Sequence, residues 1–334
     1  MVLLSWRWIE KEGSILNKKL YYLGFIVITT VSLSACSKAL PSGQADILST
    51  ERQETEQVIP ATQYQETASE QELGPGGVLE EAFIIPEGNT IKTRIRTPQG
   101  YTRVLAQAGS LAEFIREYPL KKDQSPVLLY DGTRKHNQSA HAAVFSLPIE
   151  PEDLQQCADS VMRMYAEYFR ETGQDEKIAF HFVNGFLAEY VKWREGYRIN
   201  VNGDDAVWEK TASYDDSYQT FVAYLRMVFA YAGTLSMEEE TEQTTLEELE
   251  AGDVFLQGGS PGHVVLVLDV CENSDGRKAF LLGQGYMPAQ EFHVLKNPGR
   301  EDDPWYYEEE AGYPFETPEY TFTEGSLKRF TLFD

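Results

Sequence analysis

Apolar residues from about residue 91 onward recur with two different periods, which predict helices and strands. Residues 151–172 have the helical period, with Pro151 at the first position, where its missing N–H costs nothing. Residues 216–232 have the same period and predict a second long helix. A shorter helix is expected after Ser110, whose hydroxyl is suited to cap it.

The other apolar runs are short and rich in β-branched and aromatic residues, which favours strands. The best-defined pair is residues 252–257 and 263–270, separated by a Gly-rich turn, and residues 278–284 are expected to return antiparallel to the second strand. The pattern therefore predicts an α+β domain with an antiparallel sheet, extended by further strands and helices. Those further strands are expected at residues 91–96, 101–105, 127–130, 142–147, 178–182 and 197–201.

The beginning of the chain has a different pattern. Lys18 and Lys19 precede a largely apolar stretch of 14 residues, 20–33, which small residues and Cys36 follow. This order is typical of a signal peptide, and the stretch is shorter than the roughly 20 apolar residues of a spanning helix. The end of the stretch, Leu33-Ser-Ala-Cys36, resembles the lipobox of bacterial lipoproteins, in which the Cys is lipidated and the chain is cut before it. An ordinary secretion signal with an incidental Cys is the alternative.

These boundaries divide the chain into three parts. Residues 1–35 are predicted to be a lipoprotein signal peptide, and residues 36–77 the lipidated Cys with an acidic, flexible tether. The tether contains few large apolar residues, so it cannot bury enough surface to offset the entropy of ordering. Residues 78–334 are predicted to form a single globular domain in the bacterial cell envelope, outside the cytoplasm and held to a membrane through Cys36.

Composition limits the chemistry that this domain can perform. The 334 residues include 53 acidic and 29 basic side chains, and the formal net charge of −24 opposes binding to nucleic acid. Five His and three Cys show no spacing typical of a zinc site, so we predict no metal and no cofactor. Catalysis would have to use few residues.

Cys157 and His263 are the two residues best suited to such chemistry. Cys157 follows Gln156 near the start of the first predicted helix, where the helix dipole stabilises a thiolate, and a histidine partner would add to this effect. His263 stands directly after the turn 258–262, at the mouth of a hairpin. The 106 residues between them are no obstacle, because such partners meet only in the fold.

The motifs around these residues resemble papain-like amidases and peptidases of the CHAP and NlpC type. Those enzymes have a Gly-Asp strand, a Gly-rich turn and a Gly-His pair before an apolar strand, as in Gly252-Asp253 and Gly262-His263 here. Their nucleophile lies early in a helix, often after Gln, as Cys157 does. The resemblance implies a papain-like fold with Cys157 as nucleophile and His263 as base.

Such a pair needs a third polar group to orient the imidazole. Asp269 lies on the same strand as His263 but six residues away, about 20 Å at the rise of a strand, and is too distant. Gln284 reaches His263 if the loop after residue 272 has two or four residues, whereas an odd-length loop turns Gln284 to the other face. Gln284 is therefore the predicted third residue.

Further stretches of the domain carry a second resemblance: residues 130–133, 153–159, 210–215, 252–255, 261–263 and 286–290. In these stretches the sequence is similar to an uncharacterised lipoprotein family, domain of unknown function 4846, which has no established activity. We assign Tyr130, Gln156 and Tyr286 from these stretches to oxyanion or substrate binding. His141, in the polar segment near residues 136–141, is assigned to the same role.

Together these features predict a membrane-anchored cysteine hydrolase that cleaves an amide bond, with peptidoglycan stem peptide as its substrate. The alternative is a non-catalytic envelope lipoprotein that uses a hydrolase-like fold for ligand binding or assembly. In that case Cys157 is a core residue of its helix or forms a disulfide with Cys271, and His263 stabilises its turn.

Overall fold

The computed structural model describes residues 82–331, which fall within one compact unit, Glu80–Asp334. The predicted signal peptide, Cys36 and the tether lie outside the described residues. None of the helices within residues 82–331 has the length and apolar character needed to cross a membrane.

Short helices and strands alternate along the described part of the chain, which is a mixed α+β arrangement with antiparallel strand pairing. The six α-helices of the described residues are α1 (Ile91–Arg94), α2 (Leu111–Glu117), α3 (Cys157–Glu171), α4 (Tyr190–Arg194), α5 (Tyr218–Tyr231) and α6 (Thr234–Glu239). The long helices predicted from the apolar period are present as α3 and α5, and Ser110 caps α2 as expected.

The strands of the described residues are β1 (Tyr101–Arg103), β2 (His141–Val144), β3 (Ala179–His181), β4 (Leu187–Glu189), β5 (Tyr197–Asn202), β6 (Asp205–Lys210), β7 (Thr241–Gln243), β8 (Val254–Gln257), β9 (His263–Asn273), β10 (Lys278–Gln284), β11 (His293–Leu295), β12 (Tyr306–Tyr307), β13 (Phe315–Glu316), β14 (Thr321–Phe322) and β15 (Leu327–Phe330). Nine of these strands form one antiparallel sheet around the central strand β9. Its main path runs β2-β11-β10-β9-β8-β15-β7, with β1 paired to β9 and β12 paired to β10. Three separate hairpins are β3–β4, β5–β6 and β13–β14.

Both faces of β9 are buried, which explains its nearly continuous apolar sequence. On one face Val264 and Leu266 pack with α3 and α5, in the larger of two hydrophobic clusters. On the other face Val265 and Val267 pack with aromatic residues of the C-terminal segment, including Phe322. The sheet therefore lies between a helical layer and a layer of C-terminal turns and short strands.

Two segments predicted as strands have other structures. Residues 91–94 form helix α1 because the Thr90 hydroxyl accepts a hydrogen bond from the Thr93 amide and caps the turn. Residues 127–130 contribute only isolated bridges, Leu128 to Arg134 and Leu129 to Gln290, because their backbone groups pair with turns rather than with a neighbouring strand.

Helix α3 begins at Cys157 and not at Pro151, so the prediction of its start was wrong. Residues 151–156 are turns, and the Asp153 side chain accepts a hydrogen bond from the Ala289 amide (2.7 Å) instead of capping a helix there. The helix is capped at Gln156, whose N–H donates to the Asp159 carboxylate (3.0 Å). This places Cys157 at the first helical position.

The loop between β9 and β10 also differs from the prediction. Asn273 pairs with Arg277 around the three residues 274–276, which is an odd-length loop. A β-bulge then shifts the pairing by one residue, from Leu281 opposite Asp269 to Leu282 opposite Val267. The bulge reverses the effect of the odd-length loop, so Gln284 lies on the same face of the sheet as His263.

Candidate functional site

The N-terminus of α3 lies against the ends of β9 and β10, and this contact places Cys157. Gly285, directly after β10, makes the close approach possible, because a Cβ there would lie 2.3 Å from the Ser160 hydroxyl and 2.8 Å from the Gln156 carbonyl oxygen. The Val264 amide N–H faces the Cys157 sulfur. Cys157 is therefore next to the first residues of β9.

Cys157 is partly exposed as a residue, but its sulfur atom is buried. Burial raises the pKa of this thiol to about 11, and negative charge on Asp159 adds to the increase. The amides of Ala158 and Val264 act in the opposite direction, because both would donate to a thiolate. In the free protein at neutral pH Cys157 is a thiol.

His263 is buried at the mouth of the β8–β9 hairpin, with 2% of its surface exposed. Its Nε2 lies 2.8 Å from Oε1 of Gln284. Burial lowers the pKa of His263 to about 4, against the raising effect of the Gln284 hydrogen bond, and the Lys135 charge lowers it further. The imidazole is neutral at pH 7.

The hydrogen bonds of Gln284 determine which nitrogen of His263 carries the proton. Nε2 of Gln284 lies 2.7 Å from the Glu319 carboxylate, which can only accept. Oε1 of Gln284 must then face His263 and accept from Nε2–H. The second ring nitrogen, Nδ1, is left with its lone pair and has no hydrogen-bond partner among the described residues.

A buried polar network continues behind Gln284. Lys135 forms an ion pair with Glu319, and its Nζ lies 3.5 Å from Nε2 of His293. His293 pairs with Gln284 across β10 and β11 and is fully buried. Burial lowers the pKa of His293 well below its usual value, and its Nδ1–H donates to the Glu291 carbonyl (2.8 Å).

Aromatic rings surround the His263 imidazole. The centroid distances are 4.9 Å to Tyr286, 5.0 Å to Tyr320 and 6.0 Å to Phe322. Burial raises the pKa of Tyr320 and of Tyr286, and a charge on Cys157 contributes to both increases, so the sulfur lies within electrostatic range of these rings. Tyr286, predicted to bind substrate, is thus part of the cluster.

Cys157 and His263 make no hydrogen bond to each other among the described residues. The imidazole lies against Tyr320 and Phe322, on the face of the sheet opposite α3. Because no hydrogen bond joins the thiol to the imidazole, direct proton transfer between them requires a side-chain movement, which is common in ligand-free structures.

Three other predicted residues lie around this centre. Nε2 of Gln156 donates to the Asp153 carboxylate (3.2 Å), which leaves its second N–H free for an oxyanion. The Tyr130 amide donates to the Ala289 carbonyl (2.9 Å), next to the segment that Asp153 holds. His141 lies on β2 with its ring 6.1 Å from that of His293, behind the network rather than beside Cys157.

The two cysteines of the described residues are both free, so the Cys157–Cys271 disulfide is not formed. Cys271 is fully buried at the far end of β9, and its thiol donates to the Ala279 carbonyl (3.5 Å). Within residues 82–331 no three His, Cys, Asp or Glu side chains are grouped to hold a metal ion.

Two cavities in the described residues lie away from this cluster. One of about 220 Å³ lies beside Asn297 and Phe315, and another of about 470 Å³ lies beside Leu246 and Arg277. Neither is lined by Cys157 or His263. The candidate site is therefore defined by its hydrogen bonds and its titratable groups.

Sequence reasoning missed Lys135, His293 and Glu319. Each lies in a turn or on a short strand with no periodic pattern, and each reaches Gln284 only through the fold. A Gln in the third position was itself a signal, because an amide needs a second partner to hold its orientation.

Comparison with known proteins identifies the family to which the chain belongs. No curated protein and no solved structure matches the chain. A family described as domain of unknown function 4846 matches residues 91–329, more than half of the chain, and this span includes Cys157, His263, Gln284 and Glu319. The chain therefore belongs to the family of domain of unknown function 4846.

Proposed function

We propose that this protein is a papain-like cysteine hydrolase of the bacterial cell envelope that cleaves amide bonds, with peptidoglycan stem peptide as its substrate. The observation that carries the proposal is the hydrogen bond from His263 Nε2–H to Gln284, which leaves the Nδ1 lone pair without a partner at the same end of β9 that the first turn of α3 contacts. The envelope location and the lipid on Cys36 rest on the sequence.

The reaction follows from the neutral state of both groups. As Sγ of Cys157 attacks the carbonyl carbon, its proton passes to Nδ1 of His263, and the Gln284 carbonyl stabilises the imidazolium through Nε2–H. His263 then gives this proton to the leaving nitrogen, the C–N bond breaks, and an acyl thioester remains. Water attacks the thioester with His263 as base and releases a carboxylic acid and the thiol.

The start of α3 supplies donors for the oxyanion of the tetrahedral intermediate. The first N–H groups of a helix have no partner within it and point along the positive end of its dipole. The free N–H of Gln156 adds a side-chain donor on the same turn. These groups act only if the carbonyl oxygen of the substrate lies over the first turn of the helix.

The test is digestion of purified peptidoglycan by the full chain, with the released fragments analysed by liquid chromatography and mass spectrometry. We expect the unaltered chain to release peptides with new carboxyl ends and Cys157→Ala to release none. Cys271→Ala is the matched control, because Cys271 is a free thiol remote from the cluster. No release by the unaltered chain, or equal release by Cys157→Ala, would refute the hydrolase.

A second candidate function is ligand binding without catalysis, in the same envelope setting. It is favoured by the missing hydrogen bond between Cys157 and His263 and by the raised pKa of the thiol. In this case the unaltered chain retains peptidoglycan fragments in a sedimentation assay without altering their mass. Cys157→Ala would then bind as well as the unaltered chain.

A further inference from the structure

Glu319 lies at the tip of the β13–β14 hairpin, and both oxygens of its carboxylate accept hydrogen bonds from side chains. One oxygen accepts from Nε2 of Gln284 (2.7 Å) and from Lys135, and the other accepts from Nδ2 of Asn137 (3.2 Å). The Tyr286 hydroxyl donates to its backbone carbonyl (3.2 Å). Four groups from two segments of the chain, residues 135–137 and 284–286, therefore hold Glu319 in one position.

An amide side chain has two nearly isosteric orientations, and its partners choose between them. With Oε1 toward His263, Gln284 accepts from Nε2–H and leaves the Nδ1 lone pair available. With the amide reversed, Gln284 would donate to Nε2, and the neutral ring would carry its proton on Nδ1. The second arrangement has no base for a thiol, so the orientation of one amide switches the chemistry on or off.

We propose that Glu319 is a positioning residue: its carboxylate fixes the Gln284 amide and thereby holds the His263 proton on Nε2. A carboxylate cannot donate, so a reversed amide would place two acceptors against each other at hydrogen-bond distance. The buried Lys135 ammonium pairs with this carboxylate and holds it against Gln284. The role of the freed lone pair rests on the proposed function, but the choice of tautomer does not.

The same hairpin also covers the imidazole, since Tyr320 follows Glu319 directly and Phe322 lies two residues further. The Tyr320 hydroxyl donates to the Pro261 carbonyl (3.0 Å) in the turn that precedes His263. Orientation of Gln284 and shielding of His263 thus come from one short segment, residues 315–322. The experiments must therefore distinguish the loss of the Glu319 carboxylate from a displacement of the aromatic residues that shield His263.

The first experiment measures the tautomer directly in the full chain with ¹⁵N-labelled histidine. Long-range ¹H–¹⁵N spectra distinguish the two neutral forms, and His263→Gln identifies the signal among the five histidines. We expect the unaltered chain to have the Nε2–H form and Glu319→Gln to gain the Nδ1–H form. Glu316→Gln, the same change at an exposed site on β13, should leave the spectrum unchanged.

The second experiment exchanges the charge. Gln284→Glu alone places two carboxylates in contact, and we expect kcat on peptidoglycan to fall about 100-fold, as for the loss of a hydrogen bond to a charged group. In the double variant Gln284→Glu/Glu319→Gln the two positions again carry one donor and one acceptor, and the single carboxylate stays within reach of Lys135. We expect kcat of the double variant to be at least tenfold higher than that of Gln284→Glu, with KM little changed.

The outcomes separate this inference from the hydrolase itself. An unchanged Nε2–H tautomer in Glu319→Gln would overturn the positioning role. So would a loss of activation free energy in the double variant equal to the sum of the losses in the two single variants. The spectra need no substrate, so a chain with the expected tautomers and no hydrolysis would refute the enzyme and uphold the role of Glu319.

Discussion

Strand β9 has a buried polar cluster at each end, and the two clusters differ in whether every polar atom has a partner. At the far end Asp269 is fully buried and accepts from Nε of Arg103 (2.6 Å) and Nε of Arg116 (2.8 Å). Nearby Cys271 is sealed in the core. At the near end Nδ1 of His263 is without a partner among the described residues, and Cys157 is partly exposed.

This difference separates a structural network from a chemical one. A buried ion pair with filled hydrogen-bonding capacity holds elements together and has nothing left for a ligand. A network that fixes the Gln284 amide and leaves the Nδ1 lone pair of His263 without a partner keeps a group that can accept a proton. We expect changes at the far end to act on stability and changes at the near end to act on turnover.

The largest expected effect is that of Cys157→Ala. Removal of the proposed nucleophile should lower peptidoglycan hydrolysis at least about 1,000-fold and change the free energy of unfolding by less than about 1 kcal/mol. Cys271→Ala should do the reverse, with a loss of roughly 1–2 kcal/mol in stability and unchanged turnover per folded molecule. Urea unfolding measures the stability, and fragment release measures the turnover. Similar changes of both quantities in the two variants would contradict the distinction between the two ends of β9.

Asp269→Asn tests the far end. It leaves the Arg103 and Arg116 guanidinium groups without their carboxylate, and we expect a loss of about 3–5 kcal/mol in the free energy of unfolding. Glu117→Gln, in an exposed pair with Lys92, is the matched control and should cost at most about 1 kcal/mol. A stable Asp269→Asn variant with lowered turnover would show that the far end is not merely structural.

Gly285→Ala tests the contact that places Cys157. The added methyl would overlap the Gln156 carbonyl and the Ser160 hydroxyl, so α3 must move away from β10. A shift of about 1 Å at a reacting atom can cost about 100-fold in rate, and we expect a loss of that order in kcat. Gly312→Ala is the control, because a Cβ there meets open space. Equal activities of the two variants would show that the reaction does not depend on the position of Cys157.

The pH profile sharpens the comparison further. His263 must be neutral to accept a proton, and its pKa of about 4 lies below the usual value of 6.5, so kcat/KM should stay level from pH 7 to about pH 5. Below pH 4 it should fall about tenfold per unit as the imidazole is protonated. His181→Gln, remote from the cluster, should not alter this profile. A fall that begins near pH 6.5 would mean that His263 is solvated and not held as described.

Local patterns predicted the elements around His263 well. The strands at 252–257, 263–270 and 278–284 followed from apolar runs and a Gly-rich turn, and both long helices followed from their period. The start of α3 was misplaced because Asp153 binds the Ala289 amide, a contact 136 residues away in the chain. Nothing local to Pro151 signals that contact.

Gln284 was assigned to the correct face through two deviations from the simple hairpin. The odd-length loop would have turned it away, and the bulge at Leu268 brings it back. Gly283 permits this bulge, since a Cβ there would lie 2.8 Å from the Leu268 side chain. Glu319 and Lys135 could not be predicted, because they join the site through turns whose positions depend on the whole fold.

The central claim is that the near end of β9 holds a working thiol and base while the far end does not. The most direct measurement is the rate at which iodoacetamide modifies each cysteine of the folded full chain at pH 7, resolved by peptide mass spectrometry, in the unaltered protein and in His263→Gln. We predict that Cys157 is modified, that Cys271 is spared, and that the rate at Cys157 falls at least about tenfold in the variant. Equal protection of the two cysteines, or a rate at Cys157 that does not depend on His263, would contradict the account.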